Sequence, residues 1–582
     1  MREAVPPPEV TMTPEHRQSN PWRVAAIILA FACILLGGLL WLSPGTEGNA
    51  PFSTPAVQAA AAMSGLDFTE SEVDLMRPDL RDRLETFRRL RSVSLPNSLP
   101  PALRFNPALF SPPEQALSVP AWHPPVPPPL PQNPVEIAFQ PLPVLSAWLR
   151  SRRLRSEALT GIYLDRLKEL GPKLQCVVNL TEDLALRQAR KADRELDSGH
   201  WRGPLHGIPY GIKDLFAVPG YPTTWGAAPF KDQVIDEPAT VVKRLEEAGA
   251  VLVAKLTTGA LAWGDVWYGG KTRNPWDLEQ GSSGSSAGPA AATAAGLVGF
   301  AIGTETWGSI VSPSTRCGVS GLRPTFGRVS RFGAMALSWT MDKVGPICRS
   351  AEGTGLVFAA IHGADGKDPD CRDHGFAWPR TQGIQGLRVG IVTRAFASPE
   401  KSPADHATLA VLRSLGIEPI EIALPDIPVA PLAMILNAEA AAAFDELTRA
   451  NRDDELVRQI RNAWPNVFRH ARLIPAVEYL QANRVRTLLL KRMAELFRQV
   501  DLYICPTFGG GNLLLTNLTG HPALVLPNGF DKDGHPLSIT ITGDLFSEAE
   551  LVAMGQALQK VTDHHRKRPP EFTLAGKEEA RR

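Results

Sequence analysis

Three stretches of this chain hold side chains that could do covalent chemistry. Lys213 sits in "HGIPYGIKDLF", a short apolar strand bounded by glycine and proline. There it is either a surface cation paired with Asp214 or a buried amine. Burial disfavours the ammonium form and drives a lysine pKa down from about 10.4, which lets the amine accept a proton. Residues 279–296, "EQGSSGSSAGPAAATAAG", place Ser282, Ser283, Ser285 and Ser286 between glycines and then run into small residues only. Residues 303–310, "GTETWGSI", carry Ser309. A serine hydroxyl is a weak nucleophile until a neighbouring base takes its proton, so a neutral lysine and a serine-rich loop are complementary.

The serine loop alone fits several readings. A linker would not continue into "AGPAAATAAGLVGFAIGTETWGSIVSP", whose composition is that of a tightly packed helix and a buried strand. A phosphate loop would end in lysine plus a hydroxyl residue, which this one lacks. Gly284-Ser285-Ser286-Ala287-Gly288 matches the nucleophile elbow of an α/β-hydrolase-type esterase formally. That elbow needs a strand directly before it, and "NPWDLEQGSS" is polar and interrupted by proline. It also needs a base, and nothing marks His521 or His535 as one.

The elements that must position these residues alternate between helix and strand from about residue 137. "VLSAWLRSRRLRSEALTGIYLDRLKEL" predicts two helices, and "TVVKRLEEAGAVLVAKL" a helix that stops at Gly249 and feeds a buried strand. "GLRVGIVT" and "VDLYICPT" predict further apolar strands. Helices between strands of this kind predict an α/β fold, a large parallel or mixed sheet covered on both faces.

Taken together, "GIPYGIKDLFAVPGYPTTWGA", "GSSGSSAGPAAATAAGLVGFAIGTETWGSI" and "TNLTGHPALVLPNGFDKDGHPLSITITG" closely resemble the amidase signature family, serine hydrolases with a Ser–cis-Ser–Lys triad. The likeness runs from about residue 138 to about 562. It implies Ser309 as nucleophile, Ser285 (24 residues earlier) as the bridging serine on a cis peptide, and Lys213 as the base. Backbone N–H groups across Thr306, Trp307, Gly308 and Ser309 are the implied oxyanion hole. The implied reaction is hydrolysis of a small carboxylic amide through an acyl-serine, with no cofactor and no metal. The chain departs from the family at Trp307, where a second glycine is usual, at Glu305 in place of aspartate, and at Val311 in place of an arginine. The last makes carboxylate-bearing substrates less expected. Trp263, Trp267, Tyr268 and Trp276 crowd the segment before the serine loop, as core packing or as an aromatic substrate wall. Two alternatives remain beside the esterase: an amidotransferase subunit that works on aminoacyl-tRNA, and an inactive binding homologue whose oxyanion hole Trp307 blocks.

The N-terminal part suggests location. Residues 24–42, "VAAIILAFACILLGGLLWL", are 19 residues without a charge, about a bilayer's thickness, with Trp22 and Trp41 near the ends. Arg2, Arg17 and Arg23 precede them, and no Lys or Arg follows before Arg77. These features predict a cytoplasmic tail (1–23), one transmembrane anchor (24–42) and a single-pass membrane protein with its catalytic domain (138–562) outside the cytoplasm. A cleaved signal peptide would have a shorter apolar run. Residues 43–137 read as an extension: a helix opened by the Thr69/Glu72 capping pair and broken or kinked at Pro78, then a proline-rich arm ending in "WHPPVPPPLPQNP". Leu103, Phe105, Leu109 and Phe110 favour docking of that arm on the domain. A charged tail (563–582) ends the chain. The net charge of +1 gives no reason to expect nucleic acid, and the apolar content of 44% suffices for a large core. The six cysteines show no metal spacing and read as ordinary thiols. A homodimer is a further option that composition leaves open.

Overall fold

The computed structural model describes residues 52–63, 65–91, 97, 103–108, 121–397 and 403–573. The chain divides into two compact units, 1–95 and 96–582.

In the first unit, helices Thr54–Ala62 and Glu70–Arg91 are described. Thr69 N donates to Glu72 Oε2 (2.7 Å) and Glu72 N donates to Thr69 Oγ1 (3.4 Å), the reciprocal pair that the sequence spacing predicts. Pro78 does not end this helix, which runs through it from Glu70 to Arg91. Arg77, one residue earlier, ties that turn to the first helix through Phe52 O (3.0 Å) and Thr54 Oγ1 (3.2 Å). These bonds offset part of the N–H bond that proline forfeits.

The expected membrane architecture is corrected. Residues 24–42 lie outside the described residues, and among the described residues no helix is long and apolar enough to cross a membrane. The two longest, Glu70–Arg91 and Ala476–Leu496, have the length but carry charged side chains along it. The single-pass anchor, and the catalytic domain beyond a membrane, therefore have no support in the fold.

An eleven-stranded mixed sheet organises the second unit. Its strands are β1 (Val177–Leu180), β2 (Pro209–Lys213), β3 (Val251–Leu256), β4 (Phe300–Glu305), β5 (Ser320–Arg323), β6 (Lys343–Cys348), β7 (Val389–Val392), β8 (Ile420–Ile422), β9 (Leu502–Pro506), β10 (Ala523–Phe530) and β11 (Pro536–Gly543). They lie in the order β1-β3-β2-β4-β6-β5-β10-β11-β9-β7-β8. β2 pairs in parallel with β3 and β4, and β7 with β9 and β8, while the centre from β4 to β9 is antiparallel. Successive residues of β4 feed different clusters: Phe300 and Ile302 join one core, Ala301 another. That alternation requires helices on both faces. The predicted helices appear as Leu142–Arg150, Ser156–Leu174 and Thr240–Glu247.

The helix after the serine loop, Ala287–Ala294, is buried along its whole length. A Cβ on Gly288 would come within 2.4 Å of Thr257 N, so only small residues let this helix approach β3.

The described part of the proline-rich arm is docked. Asn97 Nδ2 donates to Ala336 O (2.8 Å) and its Oδ1 accepts from Ala336 N (2.7 Å). Phe105 packs against Phe326 and under the Arg486 guanidinium, while Leu103 points to solvent. Trp148 Nε1 donates to Pro128 O (2.7 Å), holding the polyproline stretch. Leu109 and Phe110 lie outside the described residues. In the C-terminal segment, Phe572 is buried and its carbonyl accepts from Arg166 (2.8 Å). Cys176, Cys317, Cys348, Cys371 and Cys505 are free thiols, and Cys33 lies outside the described residues.

Candidate active site

β2 and β4 run side by side, so Lys213 at the end of β2 faces the end of β4. Lys213 Nζ lies 2.8 Å from Ser285 Oγ, 2.8 Å from Thr304 Oγ1 and 3.5 Å from Thr304 O. The side chain is fully buried, and burial drives its pKa well below the usual lysine value despite the charges of Asp342 and Glu305. Asp214 is not its partner. That carboxylate pairs with Lys255 Nζ (2.8 Å), and both groups are buried. The neighbouring acid that would have fixed Lys213 as an ammonium is therefore committed elsewhere.

The peptide bond between Gly284 and Ser285 is cis. Gly284 is required by contact: a Cβ there would sit 1.8 Å from Gly264 O. Ser286, the elbow candidate, is occupied. Its Oγ donates to Thr304 O (3.0 Å) and accepts from Thr304 N (3.2 Å), fastening the serine loop to β4. Ser286 N donates to Ser309 O (3.1 Å), which brings the third predicted residue to the same loop. Ser283 Oγ lies 2.8 Å from Ser312 Oγ, and Ser282 Oγ donates to Ser283 O.

Ser309 follows a turn with Gly308 in the left-handed region (φ 86°). Among the described residues, no acceptor takes the N–H groups of Trp307, Gly308 or Ser309. Trp307 is 46% exposed, its side chain turned outward.

What shapes this turn is Glu305, a role its sequence position did not disclose. Its Oε2 accepts from Ile310 N (2.8 Å) and Val311 N (2.9 Å), and its Oε1 accepts from Arg323 (2.8 Å) and Asn517 (2.8 Å). Burial would raise the Glu305 pKa, but the Arg323 guanidinium and these hydrogen bonds hold it down at about 2. Thr306 Oγ1 donates to Asp342 Oδ1 (2.6 Å), anchoring the start of the turn. Burial raises the pKa of Asp342, opposed by the Thr306 hydroxyl and the N–H groups of Leu337 and Ser338.

The two histidines are elsewhere. His521 is buried, its pKa pushed down to about 3 by burial, and its Nδ1 lies against Thr519 Oγ1. His535 lies between Asp277 and Asp531. The aromatic cluster divides: Trp267 is buried against Tyr268, and Trp276 donates to Cys317 O (2.8 Å). Trp263 is half-buried under Arg458, whose Cζ lies 4.5 Å from its ring centroid. Arg458 NH1 is also the nearest atom to the open side of Gly264, 3.7 Å from where a Cβ would stand. Since Gly264 O abuts Gly284, this guanidinium stands close to the serine loop. No described carboxylate pairs with it.

Comparison with known proteins gives a consistent result. The family model described as Amidase matches residues 158–516. A subunit of glutamyl-tRNA(Gln) amidotransferase from Roseiflexus sp. (strain RS-1) is 34% identical over 464 residues, covering 72% of this chain and 95% of that protein. The protein of the same name from Chloroflexus aurantiacus (strain ATCC 29366 / DSM 635 / J-10-fl) is 36% identical, covering 71% and 94%. Among solved structures, the native peptide amidase from Stenotrophomonas maltophilia superposes with a TM-score of 0.67 at 29% identity, covering 76% of this chain and 100% of that one. The relatives are named for action on a tRNA, and the expected extracytoplasmic, membrane-held placement finds no support in them.

Proposed function

We propose a function from one premise: the chain belongs to the amidase family. It cleaves the C–N bond of a carboxylic amide through an acyl-Ser309 intermediate. The observation that carries this reading is the buried Lys213 amine, 2.8 Å from Ser285 Oγ and without a carboxylate partner among the described residues.

The steps follow from that geometry. A neutral Lys213 takes the Ser285 proton while Ser285 takes that of Ser309, leaving Ser309 Oγ to attack the amide carbon. The carbonyl oxygen becomes an oxyanion facing the unclaimed N–H groups of Trp307, Gly308 and Ser309, each worth about 3–4 kcal/mol in sites of this kind. As the tetrahedral adduct collapses, the Lys213 proton returns through Ser285 to the nitrogen, and ammonia or an amine leaves. Water then attacks the acyl-serine, and the same relay returns the Ser309 proton. Incubating the protein with simple carboxamides tests this. The wild type should release ammonia and Lys213→Arg should not; equal release from both would refute it.

A second reading, an amidotransferase subunit, has two observations in its favour. The curated relatives carry that name over nearly their whole length. Arg458, beside Gly264 and stacked on Trp263 with no described carboxylate partner, supplies a cation for a substrate carboxylate, which Val311 had made less expected. In this reading the amide is a carboxylate-bearing donor such as glutamine, and the freed ammonia passes to a partner protein that holds the aminoacyl-tRNA. Of the two fates for the nitrogen, the relatives favour this one. Arg458→Gln should raise KM for glutamine about tenfold or more while leaving a neutral carboxamide unaffected. A uniform effect on both substrates would remove the argument from Arg458.

A further inference from the structure

A cleft of about 460 Å³ opens between the start of helix Ala351–Ile361, the last turn of helix Glu548–Val561 and residues 565–568. None of Lys213, Ser285 or Ser309 lines it. Its walls instead hold Arg349, Lys560, Arg566, Lys567 and Arg568. Most of these come from "HHRKR" (564–568), a basic run that the catalytic chemistry does not use.

The balance of charge in the cleft is uneven. Lys567 is paired with Asp563 (2.7 Å) and Arg568 with Glu136 (2.8 Å). Among the described residues, no carboxylate is in ion-pair contact with Arg349, Lys560 or Arg566. Glu352 is the one acid in the lining; its Oε1 accepts from Trp122 Nε1 (3.2 Å), burial raises its pKa, and the charge of Lys560 opposes that rise. Arg349 donates to the carbonyls Val298 O (2.9 Å), Thr293 O (3.3 Å) and Gln140 O (2.8 Å). Its Nε is buried without a hydrogen-bond partner, and so is His565 Nδ1. Buried polar atoms left unpaired cost free energy. Burial also pushes the His565 pKa down to about 4, so its imidazole is neutral and adds no charge near neutral pH. In a chain of net charge +1, five cations and one carboxylate around one cavity are a local feature and not a general background.

We propose that this cleft binds a small anion carrying two or more phosphate groups. A single carboxylate would leave most of the positive charge uncompensated. A di- or triphosphate presents several acceptor oxygens and enough charge for a guanidinium fork and an ammonium at once. The volume lies in the range of ordinary small-ligand sites, about 300–1,000 Å³. A nucleic-acid backbone shares the phosphate chemistry but needs an extended groove.

Titration calorimetry of the full chain with inorganic pyrophosphate and with tripolyphosphate, at a fixed ionic strength of about 0.15 M, tests the site. The comparison is the double variant Lys560→Gln/Arg566→Gln, whose two positions are exposed and outside the catalytic machinery. Circular dichroism verifies its fold. The expected result is saturable one-to-one binding to the wild type, weakened about tenfold or more in the variant, with the rate of fluorophosphonate labelling at Ser309 unchanged. No saturable binding would overturn the proposal, as would equal affinity in both proteins or equally good competition by sulfate. A short RNA oligomer that displaces pyrophosphate at lower concentration, and loses binding in the same variant, would also overturn it by making the cleft a nucleic-acid surface.

Discussion

Glu305→Gln tests how the reactive turn is held. The wild-type carboxylate receives Ile310 N, Val311 N, Arg323 and Asn517, all within 2.8–2.9 Å, and is fully buried together with Arg323. Glutamine keeps one acceptor oxygen but turns an N–H₂ toward a donor and leaves the Arg323 charge unmatched. Two routes to the cost agree. The fall of the Glu305 pKa from 4.5 to about 2 corresponds to about 3 kcal/mol at about 1.4 kcal/mol per unit. Removing one member of a buried ion pair generally costs about 3–5 kcal/mol. Because the folded-state pKa is depressed, this stability is present above the unfolded value near 4.5 and is lost as pH falls through about 2. Urea unfolding followed by tryptophan fluorescence should therefore show the variant about 3 kcal/mol less stable at neutral pH, with the gap closing as pH drops below about 4.5. Turnover should fall about 10²–10³-fold as the oxyanion N–H groups lose their anchor. A variant as stable and active as the wild type, or a gap that does not narrow in acid, would refute the clamp.

Lys213→Arg should be nearly inactive at every pH, because arginine stays charged and cannot take the Ser285 proton. In the wild type, activity should rise from acid and level off at a pH well below the usual lysine pKa of 10.5, since burial depresses the Lys213 value; a profile still rising through pH 10 would contradict a neutral amine. Gly284→Ala should abolish activity or expression, as its Cβ would meet a backbone oxygen at 1.8 Å that cannot move aside; a fully active variant would show that the loop is not packed this way. Deleting residues 1–95 should leave the catalytic unit folded and active, whereas deletion to residue 120 should lower its thermal midpoint by removing Asn97 and Phe105. Equal midpoints for the two truncations would mean that the arm adds nothing.

The sequence made legible the parts of this candidate site that lie in continuous motifs. Lys213, Ser285 and Ser309 could be proposed because each sits in a long patterned stretch, and the fold brings Lys213 to Ser285 and the serine loop to Ser309; the Thr69/Glu72 cap was legible because its partners are three residues apart. Contacts between distant segments were hidden. Asn517 and Arg323 meet Glu305 only because β4 and β5 lie in one sheet and the helix Asn512–Thr519 closes over them. Asp214 looked like the natural partner of Lys213, but it lies just past the end of β2 and Lys255 of β3 claims it. Arg458 carries no motif, and only the fold brings it over Trp263. The helix-breaking tendency of Pro78 is overridden by the tertiary bonds of Arg77, which no local pattern reveals. The apolar run at 24–42 lies outside the described residues, and the relatives give no support to the membrane placement read from it.

Acylation of Ser309, with Lys213 and Ser285 as its proton relay, is the step on which the proposed function rests. Reacting the intact protein with a fluorophosphonate and locating the adduct by peptide mass spectrometry tests it at the atom concerned. A single adduct on Ser309 is expected, absent in Ser309→Ala and slowed by several orders of magnitude in Ser285→Ala and Lys213→Arg. An adduct on Ser286, or labelling of Ser309 that proceeds at the wild-type rate without Lys213, would contradict it.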